Sequence, residues 1–337
     1  MSRGEAPAVA WRPRGGRRLL ELRARALGVV RSFFARRGVL EVDTPLLQTT
    51  AATDLHLDSV PCEPMPGVRA YLPTSPETAM KRLLADGSGP IFQVCKSFRR
   101  GELGSRHRPE FTMVEWYRPG FTLEALQNEV DDLVRAVVVA VGAPRSPLAA
   151  TATVRYEDVW RARLGIDPHT ATAPDLRQLA CRHLPAERDL VQRLEVDDLL
   201  GLLMARLVEP GLQTDGPVFV HDFPASSAAM ARLRERADGV PVACRFELYL
   251  GGLEVANAYL ELTEPTEQEA RQRRDLAQRA AAGRPGRIDE RFLAALRHGL
   301  PATSGVALGF DRLLMFAVGA SDLDEVLPLS WEPEPSD

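Results

Sequence analysis

Apolar positions along the chain fall into helical and alternating stretches that follow one another without an internal repeat. Leu19, Leu22, Leu27, Val30 and Phe33/Phe34 recur near helical spacing, which predicts an amphipathic helix over residues 19–37, ended by Gly38. Residues 39–42 read as a short strand stopped by Pro45, and 77–84 as a helix with Pro76 at its start. Alternation marks strands over 91–99 and 111–117, and an i, i+3, i+4 pattern marks a helix over 123–141. Two further helices are expected within 174–204. Strands follow over 218–223, 245–250 and 253–260, then a highly charged, exposed helix over 264–282. A last strand, 302–309, leads into a helix from Phe310. The stretch 144–217 yields nothing beyond its helices.

Strands adjacent in sequence are joined by hairpins, and helices separate the strand groups without regular βαβ alternation. That predicts an α+β fold on an antiparallel sheet flanked by helices, as one domain over 17–329 with a flexible tail over 1–16 and a short tail over 330–337. No G-x-x-x-x-G-K-[ST] or strand-linked G-x-G-x-x-G is present, so a nucleotide would need another scaffold. With 337 residues, 45% hydrophobic and 26% charged, the core needs no disulfide. Cys62, Cys95, Cys181 and Cys244 are scattered without metal-ligand spacing, which predicts a reduced cytoplasmic protein without structural zinc. No apolar run approaches the ~20 residues of a membrane span. Residues 1–18 hold five arginines and one acid but lack the apolar segment of a signal peptide. A net charge of −4 does not describe a global polycation for nucleic acid. The basic residues are nearly all arginine; the only lysines are Lys81 and Lys96.

Three stretches carry candidate chemistry. In the first, a hairpin from Phe98-Arg99 to Tyr117 can present Arg99, Phe111, Glu115 and Tyr117 to one cavity. Its loop holds Arg100, Glu102, Arg106, His107 and Arg108, a set suited to polyphosphate. Pattern alone favours the plainer alternative, a solvated charged loop on an ordinary amphipathic hairpin. In the second stretch, Gly251-Gly252 makes a two-residue turn that pairs Leu250 with Leu253 and sets Tyr249 opposite Glu254. Glu247 and Glu254 then become diagonal neighbours, which is unfavourable unless a cation lies between them; oxygen ligation points to magnesium. A solvent-facing acidic pair is the common alternative. Asn257 and Glu261 share parity with each other but not with Glu254, so a one-residue bulge near Ala256 is required for all three to line one site. In the third, Gly305, Ala307 and Gly309 alternate along one face as a smooth floor, and Arg312 falls in the first turn of the next helix, a position that favours phosphate. Close helix–sheet packing beside a surface arginine fits this stretch equally well.

In order and spacing, the three stretches resemble the class II aminoacyl-tRNA synthetases, specifically the lysyl branch. Glu41-Val42-Asp43-Thr44-Pro45 after the first helix is similar to the family's first motif, which implies a homodimer. Phe98-Arg99 with Arg106-His107 and Pro109-Glu110-Phe111-Thr112 is similar to the second, and Gly309-Phe310-Asp311-Arg312 to the third. Thr74-Ser75-Pro76-Glu77, Glu115-Trp116-Tyr117-Arg118-Pro119 and Phe223-Pro224-Ala225-Ser226 resemble the truncated paralogues of that branch, which attach (R)-β-lysine to a lysine of elongation factor P.

Lysyl-tRNA synthetases have an anticodon-reading barrel before the first motif; here a short segment precedes it, so tRNA is not the expected partner. The resemblance implies ATP and Mg2+ as cofactors. Arg99 would hold the α-phosphate and reacting carboxylate, Phe111 would stack on adenine, and Arg312 would take its other face or the γ-phosphate. Arg100, Gly101, Glu102, His107, Arg108, Val255 and Gly309 would complete the nucleotide site. Glu247 and Glu254 would carry the metal. Ser75, Pro76 and Glu77 would meet the backbone-type amine, Asn257 the carboxylate, and Glu115, Tyr117 and Glu261 the distal ammonium. Ala307 stands where lysyl-tRNA synthetases have glycine, and is expected to favour (R)-β-lysine over lysine. The sequence departs from the pattern at Arg100-Gly101-Glu102, Arg108 and Ala258. The expected activity is adenylation and transfer to elongation factor P. The alternatives are a truncated synthetase charging a tRNA or other carrier, and a non-catalytic amino-acid-sensing paralogue.

Overall fold

A computed structural model describes residues 12–142, 144, 146–284 and 286–329; segments 1–11 and 330–337 of the expected tails lie outside the described residues. Helix α1 (Gly16–Ala35) buries Leu19, Ala26, Val30, Phe33 and Phe34, the stripe that the spacing marks. It begins inside the segment assigned to the tail, where the Arg14 amide donates to the Pro328 carbonyl at 2.9 Å. Next come β1 (Leu40–Glu41), a hairpin of β2 (Val60–Met65) and β3 (Val68–Leu72), α2 (Glu77–Ala85), β4 (Ile91–Phe98), β5 (Glu110–Pro119) and α3 (Leu123–Ala140), which Thr122 caps. The opaque stretch resolves into β6 (Ala152–Arg155) and four helices: α4 (Tyr156–Leu164), α5 (Ala173–His183), α6 (Arg188–Val191) and α7 (Val196–Leu203). The chain then forms β7 (Pro217–Pro224), β8 (Leu233–Glu235), β9 (Pro241–Leu250), β10 (Leu253–Leu260), α8 (Pro265–Ala281), α9 (Glu290–Gly299), β11 (Thr303–Gly309) and α10 (Phe310–Val318).

One sheet runs β1-β4-β5-β11-β10-β9-β7-β6, with β8 on β9. The six strands from β4 to β7 are antiparallel as expected, but both edges are not: β1 pairs β4 and β6 pairs β7 in parallel. The sheet is therefore mixed. Each parallel partner is reached through a long connection, β2, β3 and α2 in one case and α4 to α7 in the other, which returns the chain in the same direction.

Strand parity sorts the two faces. Val114 and Trp116 of β5, Phe246 and Leu248 of β9, and Val306 and Leu308 of β11 pack under α1, α3 and α10 in the main core. The opposite face carries the polar set. A second core joins β7 and β9 to α4, α5 and α7 around Tyr156, Trp160, Leu199 and Tyr249. A third joins α2 and α9 to Ile91 and Tyr117. The charged helix α8 was expected to be exposed, yet Gln268, Arg271, Gln272 and Arg279 are buried. Its arginines lay their stems on the protein and reach backbone carbonyls: Arg271 those of Ala229 and Ala231, Arg279 those of Asp54 and Leu57.

Candidate active site

Both strand hairpins open onto one cavity of about 620 Å³ on the polar face of the sheet, within the usual range for a small-molecule cleft. The turn between β9 and β10 has φ +58° at Gly251 and +76° at Gly252, the left-handed pair that a two-residue hairpin needs. It fixes Leu250 opposite Leu253 and Tyr249 opposite Glu254. The register then shifts between Glu254 and Ala256, so Asn257 faces Glu247. Val255 and Ala256 both enter the main core, while Glu254 and Asn257 both line the cavity. The bulge required by parity is present.

Arg99, Arg312, Glu247 and Glu254 all line this one hollow. Arg99 lies with its guanidinium 5.0 Å from the Phe111 ring centroid and 3.8 Å from Glu102 Oε1. Arg312 turns the other way. It donates to the Glu254 carbonyl at 3.0 Å, approaches Glu254 Oε2 at 3.4 Å, and meets His107 Nε2 at 2.7 Å. Partial desolvation, then the neighbouring Arg312 charge, lowers the pKa of His107. Its ring nitrogen is engaged by Arg312 and is not free to act as a base. Gly101 holds φ +82° in the loop, Arg100 is exposed, and the Arg100 amide donates to the Asp58 carbonyl. Gly309 borders Val255 and Arg312: a Cβ there would lie 3.7 Å from the Val255 carbonyl oxygen.

Arg108 lines the cavity, but its guanidinium is already paired with other side chains. Its side chain is 9% exposed, and its guanidinium bonds Asp322 at 3.0 Å and Asp324 at 2.6 Å. It ties the β4–β5 loop to the C-terminal segment, where the Leu323 amide also donates to the Ser105 carbonyl. The fixed fork of a guanidinium suits two carboxylates at once.

A third carboxylate stands near the pair Glu247 and Glu254. Glu209, at the end of the helical stretch beyond α7, lines the same wall as Glu247 and Glu254. Burial, reinforced by Glu254 and Glu247, pushes its carboxyl up to about 7. Glu247 is already engaged: Arg245 and Tyr249 both donate to it. Burial raises its pKa too, against the lowering effect of Arg245. Glu209, Glu247 and Glu254 offer oxygen donors to one cavity, chemistry that suits magnesium with water and phosphate completing its shell, although among the described residues their ligand atoms are not gathered into one cluster. Elsewhere, Glu157, Asp167 and His169 bring ligand atoms within 4.8 Å of one another. Arg155, Arg161 and Arg236 already neutralise that group.

The remainder of the cavity is bounded by β5, β10 and β11 and by α2. Glu115 is 1% exposed and accepts from Ser75 Oγ at 2.9 Å and Tyr117 Oη at 2.7 Å. The Glu77 amide donates to Ser75 Oγ, and Pro76 caps α2. Asn257 Oδ1 accepts from Arg245 at 3.1 Å, and its Nδ2 donates to Tyr259. Ala307 sits between Asn257 on β10 and Glu115 on β5. At Gly305 a Cβ would come within 2.3 Å of Glu261 Oε1 and 2.4 Å of the Tyr117 ring, so only glycine leaves these side chains their places. Glu77 and Glu261, expected to wait for substrate amines, already share Lys81: its Nζ lies 2.6 Å from Glu77 Oε1 and 2.5 Å from Glu261 Oε2. Burial raises the carboxyl of Glu115 to about 8 and that of Glu261 to about 7. Outside the expected set, Glu209 and Arg245 also line the cavity, and Lys81 and Tyr249 stand behind it against Glu77, Glu261 and Glu247. A signal existed for two of them: Lys81 follows Glu77 at i+4, and Arg245 shares strand parity with Glu247.

Comparison with known proteins places this arrangement. A family model described as tRNA synthetases class II (D, K and N) matches residues 3–331. The chain is 45% identical over 330 residues to a protein of Edwardsiella ictaluri (strain 93-146) named elongation factor P–(R)-β-lysine ligase, covering 96% of this chain and 98% of that protein. Proteins of the same name from Hamiltonella defensa and from Enterobacter sp. (strain 638) are 43% and 44% identical. They cover 96% and 95% of this chain, and 98% and 97% of their own lengths.

Proposed function

The chain belongs to the class II tRNA synthetase family of the D, K and N type, and from that membership we propose that it uses ATP to activate (R)-β-lysine as an adenylate and transfers it to a lysine side chain of elongation factor P. The observation that carries this reading is the division of charge within one cavity. Arg99 and Arg312 stand at one end, suited to a polyphosphate. At the other, three buried or half-buried carboxylates, Glu77, Glu115 and Glu261, surround a single lysine. Two positive charges are lacking there, and a diamino acid supplies them.

In the first step a carboxylate oxygen of the amino acid attacks the α-phosphorus, and the bond to the pyrophosphate oxygen breaks. Positioning and charge neutralisation dominate such transfers. Arg99 binds the α-phosphoryl oxygens once it leaves the Phe111 face, which then receives adenine. Arg312 exchanges its contacts with Glu254 and His107 for the departing pyrophosphate. Magnesium, held by Glu254 and Glu247 with Glu209 beside them, would neutralise phosphate charge. In the second step the acceptor lysine, as a free amine, attacks the adenylate carbonyl and AMP leaves. Residues 17–329 act as one catalytic domain, the protein works in the cytoplasm, and the exposed Leu20 and Leu40 near the first motif mark the face for a homodimer. Among the described residues no helix is long and apolar enough to cross a membrane.

Transfer assays test the reading directly. With ATP and labelled (R)-β-lysine, label is expected on elongation factor P and not on tRNA. Labelled tRNA with unlabelled elongation factor P would replace this reading by that of a carrier-charging synthetase.

A further inference from the structure

The proposed amine half of the cavity is backed by a buried cation. Lys81 and Glu261 are each 1% exposed, and Lys81 Nζ also lies 3.5 Å from Met230 Sδ and 6.0 Å from the Phe292 ring centroid. An ammonium buried this deeply persists only when paired. Burial acts against its charge, yet Glu261 and Glu77 more than offset that and hold its pKa above the usual lysine value. It is therefore a permanent charge directly behind the part of the cavity wall that Glu77 and Glu261 form.

We propose that Lys81 is the residue that sets how many amines the pocket accepts and how far apart they lie. It cancels one of three carboxylate charges, and it ties one oxygen of Glu77 and one of Glu261 to a common point. What remains for a ligand, after one of three charges is cancelled, is Glu115, fixed by Ser75 and Tyr117, the second oxygen of Glu261, turned toward Gly305, and the second oxygen of Glu77 at the cavity wall. Two ammonium groups at a fixed separation complete this arrangement; one leaves a buried carboxylate unpaired, and three would crowd Lys81. The inference rests on the reading of the cavity as a diamino-acid site and names the residue that tunes it. The charged and titratable groups facing Lys81 are Glu77 on its own helix, Glu115 and Tyr117 from β5, and Glu261 just beyond β10; α9 presents the Phe292 ring.

The test is the pH profile of amino-acid-dependent ATP–pyrophosphate exchange in Lys81→Met and in the charge-balanced Lys81→Met/Glu77→Gln. Without Lys81 the carboxylates lose the cation that lowers their pKa. The rise of kcat/KM for (R)-β-lysine should then move up by about one pH unit or more, the scale of losing an adjacent opposite charge. The KM for (R)-β-lysine should rise about tenfold while the KM for ATP stays unchanged. In the double variant the profile should return to that of the unaltered protein, although the amino-acid KM remains raised. An unshifted profile in Lys81→Met, or an ATP KM that moves in step with the amino-acid KM, overturns the proposal. Should Lys81→Met not fold, the double variant decides alone: a restored profile supports the proposal and a displaced one overturns it. An unaltered protein that exchanges with no diamino acid would refute the functional reading instead, so the two failures are separable.

Discussion

Single side chains in the amine pocket make its pH response predictable. Glu115, at about 8, and Glu261, at about 7, are both raised chiefly by burial. A carboxyl whose folded pKa lies above its unfolded value stabilises the fold below the unfolded pKa, and that contribution is lost as pH rises through the folded value. The unliganded protein should therefore lose stability between pH ~4.5 and ~8 from these two groups. A diammonium ligand binds the ionised forms, so its stabilising effect should grow over the same interval. Thermal shifts with (R)-β-lysine at pH 6 and 8.5 check this; a larger shift at pH 6 would contradict it. Ala307, flanked by Asn257 and Glu115, is the residue expected to discriminate between isomers. Ala307→Gly should bring lysine and (R)-β-lysine closer in kcat/KM by about 1–3 kcal/mol, measured by pyrophosphate exchange with each. The sheet face that a side chain meets was legible where parity decided it, as for Glu115, Tyr117, Asn257 and Glu254, which line one cavity. Lys81 was not legible as a partner of Glu261, because 180 residues of chain separate them and only the α2–β10 juxtaposition brings them together.

At the scale of elements, the β9–β10 hairpin was readable from its turn: two glycines fixed the register, and the register forced the bulge. The helix α8 is exposed on one face as expected, but its buried face of Gln268, Arg271, Gln272 and Arg279 was not legible, because these residues count as polar while their stems bury apolar surface. The stretch containing Glu209 offered helical spacing but no sign of which end would meet the cavity. Two elements carry predictions. On β11, Gly305→Ala would drive a methyl into Glu261 and Tyr117, with an overpacking cost of about 1–3 kcal/mol. Its amino-acid KM should rise far more than its ATP KM in steady-state kinetics. In the β4–β5 loop, Arg108→Met removes charged hydrogen bonds to Asp322 and Asp324. Urea unfolding should report a loss of about 1.5–3 kcal/mol, with a weaker ATP KM as the loop loses its tether. Unchanged stability would contradict the structural role given to Arg108.

For the whole molecule, an α+β sheet could be expected from adjacent strands and the absence of βαβ alternation. Its parallel edges could not, since β1 is two residues long and β6 is short, and their direction is set by long connections rather than by local pattern. What the assembled fold achieves is convergence: elements distant in sequence bring Arg99, Arg312, Glu247 and Glu254 around one cavity with Glu77, Glu115 and Glu261. ATP–pyrophosphate exchange driven by (R)-β-lysine tests that convergence most directly. The account predicts exchange that requires ATP, magnesium and the diamino acid together, and that Arg99→Ala abolishes. Absence of exchange with every lysine isomer, from folded protein that still binds ATP, would contradict it.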